Sequence, residues 1–169
     1  MCGEYIKRGN IQIIFGRNGA TELRKKYEFL EGYTADVAFV AYGNTIEEVF
    51  INAAEALMEI QTDVSKIDPV ECIEVTVEGY DMEHLLKRWL EELLYHRDVK
   101  GMFFSKFEVK VEKLNEDEEM LFRLSGRICG EKFDPRKHVS KVEVKAVSYH
   151  DMEIGRKDNV FFARVLVDI

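Results

Sequence analysis

The stretch YEFLEGYTADVAFVAYG, residues 27–43, predicts two strands joined by a tight loop. From Val37 to Tyr42 apolar side chains occupy both alternating faces, which is typical of a central strand covered on both sides. Asp36 stands directly before this strand, which has no other charge. The pattern therefore predicts a carboxylate at one end of a central strand.

A helix is predicted directly after this strand. Thr45-Ile-Glu-Glu48 has capping-box spacing, in which the threonine hydroxyl accepts from the Glu48 amide and the glutamate reaches back. Apolar residues then recur at the spacing of one helical face: Ile46, Val49, Phe50, Ala53, Ala54 and Leu57.

The rest of the chain predicts one strand, a second helix and a run of strands. Residues 71–80 alternate apolar and polar side chains, and a helix with Trp89 in its apolar stripe begins at Asp81, a favoured N-cap residue. Four strand-like runs follow, within residues 104–114, 120–130, 141–150 and 160–169. We predict an α+β fold of two layers, a mostly antiparallel β-sheet with two main α-helices packed on one face.

The composition fits a single folded domain behind a basic leader. The chain has 169 residues, of which 46% are hydrophobic and 33% charged, and no apolar run reaches the ~18 residues of a membrane span. Residues 1–26 carry six Lys/Arg and two Asp/Glu, a net +4, whereas residues 27–169 carry −12. We interpret 1–26 as an extra strand or a flexible arm without the features of a secretory signal, and 27–169 as one domain.

Charge and cysteine content exclude several classes of protein. A net charge of −8 argues against coating of duplex nucleic acid. The three cysteines, Cys2, Cys72 and Cys129, are odd in number and widely spaced, which argues against a disulfide scaffold or a Cys-rich zinc site. We expect Cys72 and Cys129 to be ordinary thiols in strands and the protein to work in a reducing cytoplasm.

Motifs of self-contained catalytic sites are absent from the sequence. The chain has no phosphate-binding glycine motif, no H-E-x-x-H and no G-x-S-x-G, and its four histidines are widely dispersed. We therefore do not expect this chain to be an enzyme by itself.

Three carboxylates are candidates for a metal site. Asp168 ends an apolar strand, and Ile169 adds the terminal carboxylate. If the strand after Asp36 runs antiparallel beside the C-terminal strand, the three groups converge and need a cation to stay ionised together. An all-oxygen set suits Ca²⁺, Mg²⁺ or Mn²⁺. The alternative is that Asp36 caps a turn and Asp168 belongs to a frayed tail.

A second candidate cluster lies in the mixed-charge turn at residues 130–138 and the strand after it. Lys137, His138, Lys145 and His150 could hold a phosphate or a carboxylate of a partner. The alternative is a solvated hairpin loop.

Four ordered blocks of this sequence resemble the archease family and together span residues 27–169. They are YEFLEGYTADVAF (27–39), VEGYDMEHLLKRWLEELLY (77–95), GEKFDPRKHVSKVEVKAVSYH (130–150) and FFARVLVDI (161–169). One departure is that Tyr33 stands where the family usually has His in the His-Thr-Ala-Asp pattern.

The resemblance implies a protein that activates an RtcB-type RNA ligase, which joins tRNA halves with GTP and manganese. Archeases promote formation of the ligase–guanylate intermediate and restore multiple turnover. They bind a divalent metal through residues that correspond to Asp36, Asp168 and Ile169. The ligase would be the direct partner and tRNA only an indirect one, with no role for a membrane.

Two other functions remain open at this stage. One is a chaperone-like modulator of tRNA-modifying enzymes such as a tRNA methyltransferase, a role that would not depend on Asp36. The other is a stand-alone metal-dependent hydrolase, which the lack of a general base beside the carboxylates disfavours.

Overall fold

The computed structural model describes residues 11–15, 21–33, 36–116 and 119–169. It confirms the α+β class, with two long helices and antiparallel strands. The elements in chain order are β1 (Ile11–Phe15), β2 (Thr21–Lys25), β3 (Tyr27–Leu30), β4 (Asp36–Gly43), α1 (Ile46–Gln61), a short 3-10 helix (Val64–Lys66), β5 (Glu71–Gly79), α2 (Met82–Lys100), β6 (Met102–Glu116), β7 (Glu119–Lys132), β8 (Ala146–Lys157) and β9 (Val160–Asp168).

The described strands form two larger sheets and a separate hairpin. One sheet has the order β3-β4-β9-β8, the other has the order β5-β7-β6, and β1 pairs with β2. Helix α1 contacts β4 and β6, whereas α2 contacts β8 and β5, so each helix touches both larger sheets. The expected placement of both helices on one face of a single sheet is therefore not confirmed.

The hairpin β1–β2 falls within the segment interpreted as a basic leader. Its strands pair from Ile11 with Lys25 to Phe15 with Thr21. Residues 1–10 and 16–20 lie outside the described part of the chain. The division into a leader and one domain stays a prediction.

Strand β4 lies inside its sheet, between β3 and β9, as its apolar pattern predicts. Phe39 and Ala41 are fully buried. Val40 and Tyr42, which alternate with them, are only half-buried. The strand is thus central, but one of its faces is only partly covered.

Both helices begin at the predicted caps. The Glu48 amide donates to Thr45 Oγ1 at 3.2 Å, and the Glu48 carboxylate accepts from the Asn44 amide at 2.6 Å, one residue earlier than a standard capping box. At the start of α2, the Asp81 carboxylate accepts from the His84 amide at 2.7 Å. Neither helix of the described chain is long and apolar enough to cross a membrane.

Trp89 joins the two helices in the core. Its side chain is fully buried, and its indole Nε1 donates to the backbone carbonyl of Phe50 at 3.0 Å. The hydrogen bond satisfies the single polar atom of the ring, which lets the whole side chain lie in apolar surroundings.

The predicted strand at residues 141–150 begins later than its pattern suggests. The amides of Lys141 and Val142 donate to carbonyls at the end of α1, at 2.9 and 3.3 Å, and β8 begins only at Ala146. Val144 is fully buried, and its carbonyl accepts from the buried guanidinium of Arg97 at 2.8 Å. Of residues 141–145 only Val144 is buried, so the alternating sequence of this segment does not correspond to a strand.

The expectation of free thiols at Cys72 and Cys129 is wrong. The two residues lie directly opposite each other on β5 and β7, with Cα atoms 4.1 Å apart, and form a disulfide. They are 57 residues apart in the chain, so only the pairing register reveals their contact. Cysteine content consequently no longer supports a reducing compartment. Cys2 lies outside the described residues.

We predict that Trp89→Ala lowers the free energy of unfolding by about 3–5 kcal/mol, because it opens a cavity and removes the hydrogen bond from the indole to the Phe50 carbonyl. The change is measured by denaturant unfolding. Tyr95→Ala is the control, since Tyr95 lies on the same helix and is 57% exposed. It should cost less than about 1 kcal/mol. Equal losses in the two variants would contradict the assignment of Trp89 to the core.

We predict that Cys72→Ser lowers the free energy of unfolding by about 2–4 kcal/mol, because the disulfide closes a long loop in the unfolded chain. Addition of a reductant to the unmodified protein should produce a similar loss. Reductant should cause no further loss in Cys72→Ser. If reductant left the unfolding midpoint unmoved, the bond would not contribute to stability.

Candidate functional site

The strand register brings Asp36 and Asp168 together. Asp36 begins β4, Asp168 ends β9, and the two residues are direct partners in the antiparallel pair. On the other side of β9, Ala146 at the start of β8 is also opposite Asp168. The amide of Lys145 donates to the Asp168 carbonyl at 2.8 Å. The start of β4, the end of β9 and the start of β8 thus lie together at one end of the sheet.

The two carboxylates interact. Desolvation, followed by the hydrogen bond and the charge of the Asp168 side chain, raises the pKa of Asp36. Two acids in this arrangement share a proton or require a cation between them. Ile169 follows Asp168 immediately and is exposed, so its terminal carboxylate is one residue's length away.

The donor set at this edge consists of oxygen atoms. Within the described residues, no group of three or more His, Cys, Asp or Glu side chains is placed to hold a metal ion. A cation at the Asp36–Asp168 pair would therefore need the main-chain carboxylate of Ile169 as its third acid. Such a set fits a hard divalent ion and does not fit the N/S preference of zinc.

The loop before Asp36 holds the family departure at Tyr33. Tyr33 is exposed. Thr34 and Ala35 lie outside the described residues.

Lys137 and His138 lie in a second, internally bonded cluster. Lys137 Nζ contacts a carboxylate oxygen of Asp68 at 2.5 Å and one of Glu131 at 2.7 Å. The buried His138 ring accepts from the Asp134 amide through Nδ1 and bonds Glu131 through Nε2 at 2.5 Å. The hydrogen bonds from Lys137 and then His138 lower the pKa of Glu131 to about 2. The turn is therefore a fixed ion-pair network around Glu131.

Lys145 and His150 lie at the start of β8, on the side of the acidic pair. Lys145 is exposed, and its backbone bonds Asp168. His150 is also exposed, with Nε2 3.4 Å from the Asp151 carboxylate. These two basic residues remain accessible to a partner.

One exposed feature was missed by sequence reasoning. The rings of Tyr80 and His84 are stacked, with centroids 5.0 Å apart and planes 7° apart. The Tyr149 ring continues the stack, with its centroid 6.2 Å from that of His84. The four-residue spacing of Tyr80 and His84 was a local signal for the first pair. Tyr149 joins them only through the packing of β8 on α2.

Comparison with known proteins identifies the family. The family model of the Archease protein family (MTH1598/TM1083) matches residues 27–169. The chain belongs to this family. "Protein archease" of Sulfurisphaera tokodaii is 46% identical over 145 residues, which are 86% of this chain and 99% of that protein. The archease of Pyrococcus furiosus is 44% identical over 146 residues, with the same two coverages.

Solved structures agree with this family membership. The solution structure of Methanobacterium thermoautotrophicum protein 1598 has a TM-score of 0.69 and 39% identity, and the match covers 85% of this chain and 99% of that one. A Thermotoga maritima crystal structure, described as an archease and possible chaperone, has a TM-score of 0.54 and 20% identity over 81% of this chain and 93% of that one. The latter shows a shared fold alone.

We predict that Glu131 stabilises the folded protein above pH ~4.5 and that this contribution is lost as the pH falls toward ~2, because the folded state holds its pKa below the unfolded value. Glu131→Gln should therefore flatten the pH dependence of the melting temperature across that window. Glu153→Gln, which removes an exposed carboxylate from β8, is the control. The same steep acid dependence in Glu131→Gln and the unmodified protein would contradict the network.

Proposed function

We propose that this protein is a non-catalytic activator of an RtcB-type RNA ligase in tRNA splicing. It would promote guanylylation of the ligase and multiple turnover through a divalent cation held at one end of its sheet. The register that sets Asp36 opposite Asp168 is the observation that carries the proposal. Membership of the archease family supports it.

The cation would be held by Asp36, Asp168 and the terminal carboxylate of Ile169, which we call the acidic tip. Desolvation, the hydrogen bond to Asp168 and the charge of Asp168 all raise the pKa of Asp36, and a divalent ion would relieve the part that comes from repulsion. Ca²⁺, Mg²⁺ and Mn²⁺ all take carboxylate oxygens, so each is a candidate. When bound, the ion would supply positive charge for phosphate oxygens.

Charge complementarity would guide the docking. A ligase that handles RNA and GTP needs a basic cleft, and this chain carries a net charge of −8. An acidic surface speeds encounter with a basic one more than it adds affinity. The tip would orient the ion or the GTP phosphates for the ligase's own nucleophile. The chemistry stays on the ligase, so this protein is not an enzyme, and it contacts tRNA only indirectly.

Among the four basic candidates, Lys145 and His150 are the ones we assign to partner contact. Lys145 directly precedes β8 and bonds Asp168 through its amide, His150 lies within that strand, and both side chains are exposed. Lys137 and His138 would act by holding their loop, because both already bond Glu131. A cytoplasmic location is part of the same proposal.

We predict that Ca²⁺, Mg²⁺ or Mn²⁺ raises the melting temperature once its concentration exceeds the dissociation constant. Asp36→Asn should remove this effect. It should also keep or raise the melting temperature without metal, because one of two facing acids becomes neutral. Asp158→Asn is the matched control: it removes the same charge from the β8–β9 turn, at the other end of the hairpin, and should retain the response to metal.

The same variants test activation. With ligase, GTP, manganese and tRNA halves, Asp36→Asn should reduce the reaction to the level without this protein, whereas Asp158→Asn should support many turnovers. Deletion of Ile169 should impair activation only in part, because the new terminal carboxylate shifts by about 3.5 Å. Multiple turnover with Asp36→Asn would contradict the mechanism and favour the chaperone-like alternative.

A further inference from the structure

Two exposed tyrosine rings and a half-buried histidine ring form an ordered stack at the start of α2. Tyr80, just before α2, is 70% exposed, and Tyr149, on β8, is 47% exposed. His84 lies between them, nearly parallel to Tyr80 and 28° from the plane of Tyr149. We call these three residues the aromatic platform. Exposed large rings are costly to hydrate and are enriched where proteins bind partners.

Hydrogen bonds hold the platform in place. The Tyr80 amide donates to His84 Nδ1 at 3.1 Å, which fixes His84 against Tyr80. The His84 amide is in turn bonded to the Asp81 carboxylate, the cap of α2. Because the rings are already ordered, a partner that binds them loses little side-chain entropy.

The surroundings of the platform favour a cation. Desolvation and the neighbouring charges of Asp81 and Glu83 raise the pKa of Tyr149. One cation already uses this surface, since Lys87 Nζ lies 5.9 Å from the centroid of the Tyr149 ring. Lys87, which also pairs with Glu91, occupies the surface beside Tyr149. The exposed ring of Tyr80 is therefore the stacking surface that is open to a partner.

Strand β8 carries one ring of the platform and pairs with the strand that ends at the acidic tip. Ala146 is opposite Asp168, and Tyr149 follows three residues later, about 10 Å along the strand.

We propose that the aromatic platform binds an arginine side chain on a basic segment of a protein partner. The guanidinium would stack on the free face of Tyr80, and the carboxylates of Asp81 and Glu83 would attract the segment. Arginine fits better than lysine because its planar group stacks on rings. The inference rests on the proposed function only in naming the ligase as that partner.

The same charges disfavour RNA as the ligand. Aromatic stacks can hold unpaired bases, but such sites combine the rings with a positive groove for the phosphates. Here Asp81 and Glu83 lie beside Tyr149, and the nearby Lys87 is paired with Glu91. The two acids would repel a phosphate backbone, and the pairing of Lys87 limits what it could offset.

The test uses the full-length protein and a synthetic Gly-Arg repeat peptide. Titration by NMR should shift the ring resonances of Tyr80 and His84, and Tyr80→Leu should weaken binding about five-fold. Tyr95→Leu changes a tyrosine of α2 outside the platform, and this variant should bind the peptide like the unmodified protein. Melting temperatures check that both variants are folded.

Three results of this arm would overturn the proposal: no shift of these rings with the arginine peptide, equal binding of a peptide with citrulline in place of arginine, or an oligouridine that binds the platform more tightly than the arginine peptide does.

A second arm separates this proposal from the proposed function. In the ligase assay, Tyr80→Leu should raise the protein concentration for half-maximal activation about five-fold and lower the maximal rate much less. If the unmodified protein did not activate the ligase, the proposed function would be refuted. The peptide titration would still test whether the platform binds arginine. A half-maximal concentration that Tyr80→Leu leaves unmoved would refute the platform as part of the ligase interface.

Discussion

The pairing of β4 with β9 is the constraint on which the candidate site depends. It is fixed by the core, because the fully buried pairs Phe39–Val165 and Ala41–Ala163 belong to the same register as Asp36–Asp168. A slip by one residue would turn these apolar side chains to the outer face of the sheet and expose them. The hydrophobic core therefore holds two like charges side by side, although neither charge gains from the arrangement by itself.

The position of the acid pair limits its energetic penalty. Asp168 is exposed and Asp36 is partly exposed at the sheet edge, so water screens part of their repulsion. Two facing aspartates at the buried position of Phe39 and its partner would be far more destabilising, because isolated charges are poorly tolerated in a core. Desolvation, the hydrogen bond to Asp168 and the remaining repulsion together raise the pKa of Asp36. An arrangement with this penalty is understandable where a cation, or the positive surface of a partner, supplies the missing charge.

Local features of the fold could be predicted from the sequence, whereas long-range contacts could not. The caps at Thr45 and Asp81 and the burial of Trp89 follow from residues within one or two helical turns. The Asp36–Asp168 contact was inferred only on the condition of antiparallel pairing. The Cys72–Cys129 bond was missed because it depends on the register of strands far apart in sequence. Residues 141–145 show the converse error: their alternation predicts a strand, but the amides of Lys141 and Val142 bond the end of α1 and only Val144 is buried.

Helix α2 packs against β8, the strand that carries part of the platform and pairs with the strand ending at the tip. At its last turn, the buried guanidinium of Arg97 bonds the side chain of Gln61 on α1 and the carbonyl of Val144, just before β8. At its first turn, His84 stacks on Tyr149 of β8. The helix therefore fixes β8 at two points, and β8 pairs with the strand that ends in Asp168. Two weak contacts on such a rigid frame reinforce each other, because the second forms without a new loss of translational freedom. A modest arginine contact at the platform would in this way increase the occupancy of the tip by the same partner.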